Sequence, residues 1–237
     1  MNESAPDFSN SAYLLPHINR EGLKFGAIAL VLAIVVAMIA GKICWLGWLV
    51  LPAFLLAYGV FLFFRDPERY PPEEANAILS PADGRVCLVE ECPMPDSLAD
   101  CDEVVGRKFW RVSVFMSVFN VHVNRMPTAG TILKREYVAA GKFFNASLDK
   151  ASKENERCNY LVKADNGKVY GVTQIAGLVA RRIVPQAKEG QHLEKAERFG
   201  LIRFGSRLDV YLPEGVSPCV RVGQTMVAGE TIVGRFQ

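Results

Sequence analysis

The chain has 237 residues, room for one ordinary domain with an appendage or for two small domains, and half of it is apolar. A formal charge of +2 and a pI of about 8.2 are too mild for the concentrated basic stripe that nucleic-acid binding requires, so no nucleic-acid partner is expected. Six cysteines, at 44, 87, 92, 101, 158 and 219, make no C-x-x-C pair and no Cys/His cluster at zinc spacing, and no metal is expected.

The mean hydropathy of +0.14 conceals an uneven distribution, with the apolar residues concentrated near the N-terminus. Residues 25–40 form one uncharged apolar run and, after Gly41-Lys42, residues 43–64 form a longer one. A spanning helix needs roughly 20 apolar residues. The second run meets that length and the first falls short, which leaves it either a short span or a re-entrant arm. No small-residue cleavage site closes the first run, which speaks against a signal peptide. Arg20 and Lys24 precede the pair, Arg65 and Arg69 follow it, and only Lys42 lies between, so the positive-inside rule puts both ends in the cytoplasm. Trp45 and Trp48 sit near the turn, where interfacial aromatics gather, and Pro52 reads as a tolerated kink. The expected organisation is a cytoplasmic segment over 1–24, a transmembrane helical hairpin over 25–64 and a soluble domain over 65–237. Cytoplasmic thiols stay reduced, so disulfides are not expected.

Beyond Asp66 the pattern changes to short stretches rich in Val, Ile, Phe and Tyr, such as 110–119 and 168–175, punctuated by Pro, Gly and Asn-Gly. Asn166-Gly167 reads as a two-residue hairpin turn. One helical stretch is expected over 145–157, an exposed helix or loop, since it lacks an apolar stripe. Two glycine-punctuated segments, 80–86 and 222–234, resemble the turns of barrel-sandwich folds, although neither carries the tip lysine of a lipoyl or biotinyl carrier. The fold class expected is α+β, mainly β, with barrel-sandwich-like strands and few helices behind the membrane hairpin.

Over 202–212 the even positions are Ile202, Phe204, Ser206, Leu208, Val210 and Leu212, while Arg203, Arg207 and Asp209 fall on odd ones. Strand side chains alternate with period two. Ser206 is therefore the single polar residue on an apolar face, with Gly205 before it. The plainer reading is a buried serine bonded to a backbone carbonyl beside a bulge glycine. The chemical reading has its hydroxyl attack the preceding carbonyl, converting the amide to an ester. Elimination then leaves dehydroalanine, which hydrolyses to a pyruvoyl group and ammonia. Glycine best tolerates the strained backbone this requires.

The context of that serine resembles the short, bacterial form of phosphatidylserine decarboxylase. The resemblance rests on Arg203-Phe204-Gly205-Ser206-Arg207, on Ser80-Pro81-Ala82-Asp83-Gly84, on the stretch from Met116-Ser117 through His122 to Met126-Pro127, and on Asn145-Ala146-Ser147-Leu148-Asp149-Lys150-Ala151-Ser152 followed by Asn155-Glu156-Arg157. These motifs span nearly the whole soluble domain in the family's order. The resemblance implies a proenzyme that cuts itself between Gly205 and Ser206 into a large chain, 1–205, and a small one, 206–237, which remain associated. The small chain would begin with a pyruvoyl group made from Ser206, which forms a Schiff base with the amine of phosphatidylserine and takes up the electrons left by carbon dioxide. Neither pyridoxal phosphate nor metal would be needed, and the product would be phosphatidylethanolamine, made at the cytoplasmic face of a bacterial inner membrane.

The same resemblance assigns Asp83 and His122 to self-cleavage with the serine, by triad logic. A histidine can also protonate a carbanion near neutral pH. Long forms of the family carry two histidines before Met-Pro, whereas this chain has His122 and then Asn124-Arg125. The plainer readings are a turn aspartate for Asp83 and a satisfied buried histidine for His122. Lys150, Lys153 and Arg157 are candidates for the lipid phosphate. His17 and His192 read as bystanders. Two rivals remain: a non-catalytic membrane-tethered barrel-sandwich module, and a pyruvoyl decarboxylase for another amino-headed lipid. Homo-oligomerisation stays open.

Overall fold

A computed structural model describes residues 17–139, 155–177, 182–203 and 205–237. The chain divides into two compact units, Met1–Glu68 and Arg69–Gln237.

In the first unit, β1 (His17–Ile18) leads into helix α1 (Arg20–Ala40), whose first turn is capped by Asn19 Oδ1 accepting from Glu21 N. A 3-10 turn (Cys44–Leu49) continues into α2 (Val50–Phe63), which β2 (Arg65–Asp66) follows. Gly22 and Gly26 stand one turn apart on α1 and let α2 approach closely: a Cβ at Gly22 would lie 2.1 Å from Phe64 Cβ, and one at Gly26 2.4 Å from the Phe61 ring. β1 pairs antiparallel with β2, His17 opposite Asp66, so both ends of the hairpin meet. The first apolar stretch is a full 21-residue helix because it starts at Arg20, five residues before the uncharged run, which removes the shortfall in length expected from the sequence. Arg20–Ala40 and Cys44–Phe63 are each long and apolar enough to cross a membrane, and only 11% of each is buried. Helices apolar all round yet left exposed are consistent with membrane association. Pro52 falls in the first turn of α2, where a missing N–H is tolerated.

The second unit is built from thirteen strands among its described residues: β3 (Ala77–Leu79), β4 (Gly84–Cys92), β5 (Phe109–Met116), β6 (Val123–Arg125), β7 (Gly130–Val138), β8 (Arg157–Ala164), β9 (Val169–Ala176), β10 (Arg182–Pro185), β11 (His192–Leu193), β12 (Arg198–Arg203), β13 (Ser206–Tyr211), β14 (Thr225–Met226) and β15 (Ile232–Arg235). Eight form one antiparallel sheet in the order β11-β7-β8-β9-β13-β5-β4-β14, curled by bulges near Val86 and Ile132. β10-β12-β6 form a second sheet and β15-β3 a third. The main core joins all three, with Ile78, Val114, Tyr160, Phe199, Leu208 and Val233 fully or almost fully buried together. The opposite face of the large sheet is covered by residues 93–108, which set Met94, Leu98 and Val104 against Leu161 and Tyr211.

The two barrel-sandwich-like segments lie together. Thr225 and Met226 pair with Arg85 and Gly84, and Ser80 exchanges backbone hydrogen bonds with Thr231 and Gly229. Two local expectations change. The β8–β9 hairpin closes with Ala164 N donating to Lys168 O, leaving three residues in the loop, of which Gly167 alone has positive φ (83°). A two-residue type I′ turn would need positive φ at both central positions. Residues 145–154 of the expected helix or loop lie outside the described residues. Its end is not helical, since Arg157 opens β8 and pairs with Val138 and Ile175.

Candidate active site at the β12–β13 junction

The sequence suggests one continuous strand over 202–212, but the chain changes sheets there. β12 ends at Arg203 in the three-stranded sheet and β13 begins at Ser206 in the middle of the large one. Gly205 makes the corner with φ of +72°, a left-handed conformation that costs glycine little. A Cβ there would meet nothing within 4 Å, so the requirement is conformational rather than steric. Phe204 lies outside the described residues. Ser206 then pairs with Met116 on one side and Ala176 on the other, and it is completely buried. The side of the strand that carries the odd, polar positions is buried as well. Arg207 makes a buried bidentate ion pair with Asp209, Nε to Oδ1 at 2.6 Å and Nη2 to Oδ2 at 2.9 Å.

The two peptide groups that flank Gly205 are each held. Its N–H donates to His122 Nε2 at 3.3 Å, and its carbonyl oxygen accepts from Gly177 N at 3.1 Å. His122 is 2% exposed, and its Nδ1 lies 2.9 Å from the Asn120 carbonyl oxygen. A carbonyl only accepts, so Nδ1 carries the proton and Nε2 presents its lone pair. The Gly205 carbonyl thus has a backbone donor on its oxygen, and an unprotonated imidazole nitrogen lies at the N–H of the same residue. A base and an oxyanion donor close to one carbonyl are what acyl transfer requires.

The Ser206 hydroxyl separates the two readings of this residue. Its hydrogen-bond partner among the described residues is Met116 Sδ, at 3.8 Å, and not a backbone carbonyl. A thioether is a weak acceptor. It leaves the hydroxyl loosely held and available for attack. Met116 Sδ also accepts from Asn124 Nδ2 at 3.7 Å, Asn124 Oδ1 accepts from Gln174 Nε2 at 2.8 Å, and Gln174 Oε1 accepts from the Tyr160 hydroxyl at 3.4 Å. This buried chain fixes the methionine that faces the serine. Ala176, opposite Ser206, is anchored from the other side by Asn155 Nδ2 donating to its carbonyl and by Glu156 O accepting from its N–H.

Of the residues expected at the site, Gly205, Ser206 and His122 come together. Asp83 has other partners: Oδ2 forms an ion pair with Arg69 Nη2 at 2.8 Å, and Oδ1 accepts from Ala228 N at 2.7 Å. Lys150 and Lys153 lie outside the described residues. Arg157 stands at the start of β8, with Nη1 3.5 Å from the Asn155 carbonyl oxygen. His17 lies in β1, and His192 is in contact with Asp165 on an exposed edge. No group of three or more His, Cys, Asp or Glu that could hold a metal ion occurs among the described residues. Sequence reasoning missed Gly177, Asn120 and Arg69, and it gave no part to the Met116-Asn124-Gln174 chain. Gly177 and Asn120 contribute backbone atoms, which side-chain patterns do not reveal.

A self-processing decarboxylase proenzyme is the class of protein with which this fold and site agree. The chain belongs to the phosphatidylserine decarboxylase family, whose model matches residues 57–234. Relatives named phosphatidylserine decarboxylase proenzyme include those of Zymomonas mobilis, 49% identical over 93% of this chain and 87% of that protein, and Erythrobacter litoralis, 50% identical over 93% and 88%. A third, from Gluconacetobacter diazotrophicus, is 54% identical over 81% of this chain and 82% of its own.

Proposed function

We propose that this chain cuts itself between Gly205 and Ser206, converts Ser206 into a pyruvoyl group and decarboxylates phosphatidylserine to phosphatidylethanolamine. The observation that carries the reading is the hold on the peptide groups either side of Gly205, His122 Nε2 at its N–H and Gly177 N at its carbonyl, next to a buried serine whose hydroxyl partner among the described residues is a thioether.

Cleavage follows from these groups. Ser206 Oγ attacks the Gly205 carbonyl carbon while His122 Nε2 takes the hydroxyl proton. The negative charge that grows on the Gly205 oxygen is met by the Gly177 N–H, already in place before the reaction. Collapse expels the Ser206 nitrogen, which takes a proton and becomes an amine, and an ester joins Gly205 to Oγ. Loss of the Ser206 α-proton breaks the Cβ–Oγ bond, and Gly205 departs as a carboxylate. The dehydroalanine tautomerises to an imine, water adds, and ammonia leaves.

The residues present fit a pyruvoyl group at position 206, because the donor at Gly177 and the base at His122 act on the bond that must break to form it. When present, the ketone supplies an electrophile for the lipid's primary amine and an electron sink for its decarboxylation. His122 Nε2 is the atom we assign to return a proton to the substrate carbon that has lost carbon dioxide. Asp83 is assigned a positioning role: it ties the Pro81-Ala82-Asp83-Gly84 turn to Ala228, on the far side of the future cut. Lys150, Lys153 and Arg157 are assigned to the lipid phosphate, since charge-assisted bonds to phosphate oxygens are among the strong ones. The basic residues at both ends of the hairpin support a cytoplasmic face of the bacterial inner membrane for the catalytic unit.

Reconstituted full-length chain given serine-carboxyl-labelled phosphatidylserine is expected to release labelled carbon dioxide and accumulate phosphatidylethanolamine. Release from another amino-headed lipid but not from phosphatidylserine would refute the substrate while leaving the chemistry standing.

A further inference from the structure

Exposed large apolar side chains are single and scattered among the described residues of the second unit, with one exception. Val118 and Phe119 are consecutive, and Phe119 is 83% exposed. They form the tip of the turn between β5 and β6. The turn is tightly built: Asn120 N donates to Ser117 O at 3.0 Å, and Asn120 Oδ1 accepts from both Ser117 N at 2.9 Å and Ser117 Oγ at 2.8 Å. The two side chains are therefore held outward by a hydrogen-bonded frame. Although 22% of the chain is charged, residues 112–124 contain no Asp, Glu, Lys or Arg. The tip lacks the charges that usually keep an exposed turn in water.

Both ends of the turn carry reacting groups. Met116, at its start, pairs with Ser206 and accepts from its hydroxyl, and the Asn120 carbonyl, at its end, fixes the His122 tautomer. We propose that Val118-Phe119 is a membrane-docking tip that enters the interfacial layer of a phospholipid bilayer and brings the Ser206–His122 site to the level of the headgroups. The inference rests on the phosphatidylserine reading above. A bilayer is favoured over a protein because, among the described residues, the tip offers two side chains, far too small a patch for a stable protein interface. Aromatic side chains are at home in the interfacial layer, and the first unit already carries two helices apolar enough to cross a membrane.

The test uses the full-length chain in vesicles, with Phe119→Ser and Phe119→Leu, on two substrates: long-chain phosphatidylserine within the bilayer and dihexanoyl-phosphatidylserine dissolved as monomers. Phe119→Ser is expected to cut itself as the wild type does and to keep monomer activity within about twofold, as a surface substitution should. On bilayer substrate it should lose about tenfold or more, the loss expected when a large apolar side chain no longer leaves water. Phe119→Leu should retain most of the bilayer activity. Undiminished bilayer activity in Phe119→Ser, or equal losses on both substrates, would overturn the docking role. As a second readout, the extra emission of Phe119→Trp over wild type should be quenched by brominated phospholipids, and unquenched emission would also overturn it. Wild type inactive on both phosphatidylserine forms would remove the substrate reading, and this proposal with it.

Discussion

His122 carries its proton on Nδ1 because Asn120 offers only a carbonyl oxygen there, which leaves Nε2 as the one ring nitrogen that can take a proton. His122→Ala should slow self-cleavage by about 10²–10⁴-fold, the usual loss of a general base, followed as disappearance of the full-length chain over time. On the proposed mechanism Gly177 contributes its N–H, so Gly177→Pro, which deletes it, should slow cleavage by about 10²–10³-fold while Gly177→Ala cuts nearly as wild type. Equal rates for the two would remove the oxyanion role. Burial pushes the Cys158 thiol up to about 11. At pH 8 it should therefore resist iodoacetamide under conditions that alkylate the exposed Cys219, as peptide mapping would reveal. Ser206, Gly205 and His122 were legible from motif context. Their partners were not, because the oxygen of Asn120 and the nitrogen of Gly177 are backbone atoms that every residue but proline possesses.

At the scale of elements, β13 shows what period-two reading captures and what it loses. Ser206, Leu208 and Val210 do face the main core, as the even positions promise. The pattern runs on through Gly205 without a break, because apolar residues occupy even positions on both sides of it, so the change of sheet left no mark. Arg207 and Asp209 fall on the odd, polar positions of the sequence pattern, yet both are buried, a tertiary fact that no local pattern contains. The pair is also tied to Arg111, whose Nη1 lies 3.9 Å from Asp209 Oδ2 and which bonds Glu90 as well. Removing one partner of a buried ion pair strands the other charge. Asp209→Ala should therefore destabilise the fold by about 3–5 kcal/mol, whereas replacing both Arg207 and Asp209 with apolar residues of similar volume should cost far less. Denaturant midpoints of the detergent-solubilised chains would measure both. In the first unit, Gly26→Leu should disrupt the α1–α2 contact, since even a Cβ there would sit 2.4 Å from the Phe61 ring.

For the whole molecule, the cut would fall in the centre of the large sheet rather than at its rim. The small chain would contribute β13 between β5 and β9, β14 beside β4, and β15 beside β3. The hydrogen bonds of Ser80 with Gly229 and Thr231, and of Asp83 with Ala228, also cross between the two products. Both chains should therefore co-elute in mild detergent and separate only under denaturation. The mainly β domain behind an apolar helical hairpin was legible because composition and period differ so sharply on the two sides of Asp66. The sheet order was not, since every pairing around β13 joins segments distant in sequence.

The most direct test of the central claim is the intact mass of the denatured chains from wild type and from Ser206→Ala. Two wild-type chains that meet between residues 205 and 206, the smaller beginning with a pyruvoyl group, and one uncut chain in the variant are expected. A single unmodified wild-type chain would contradict it.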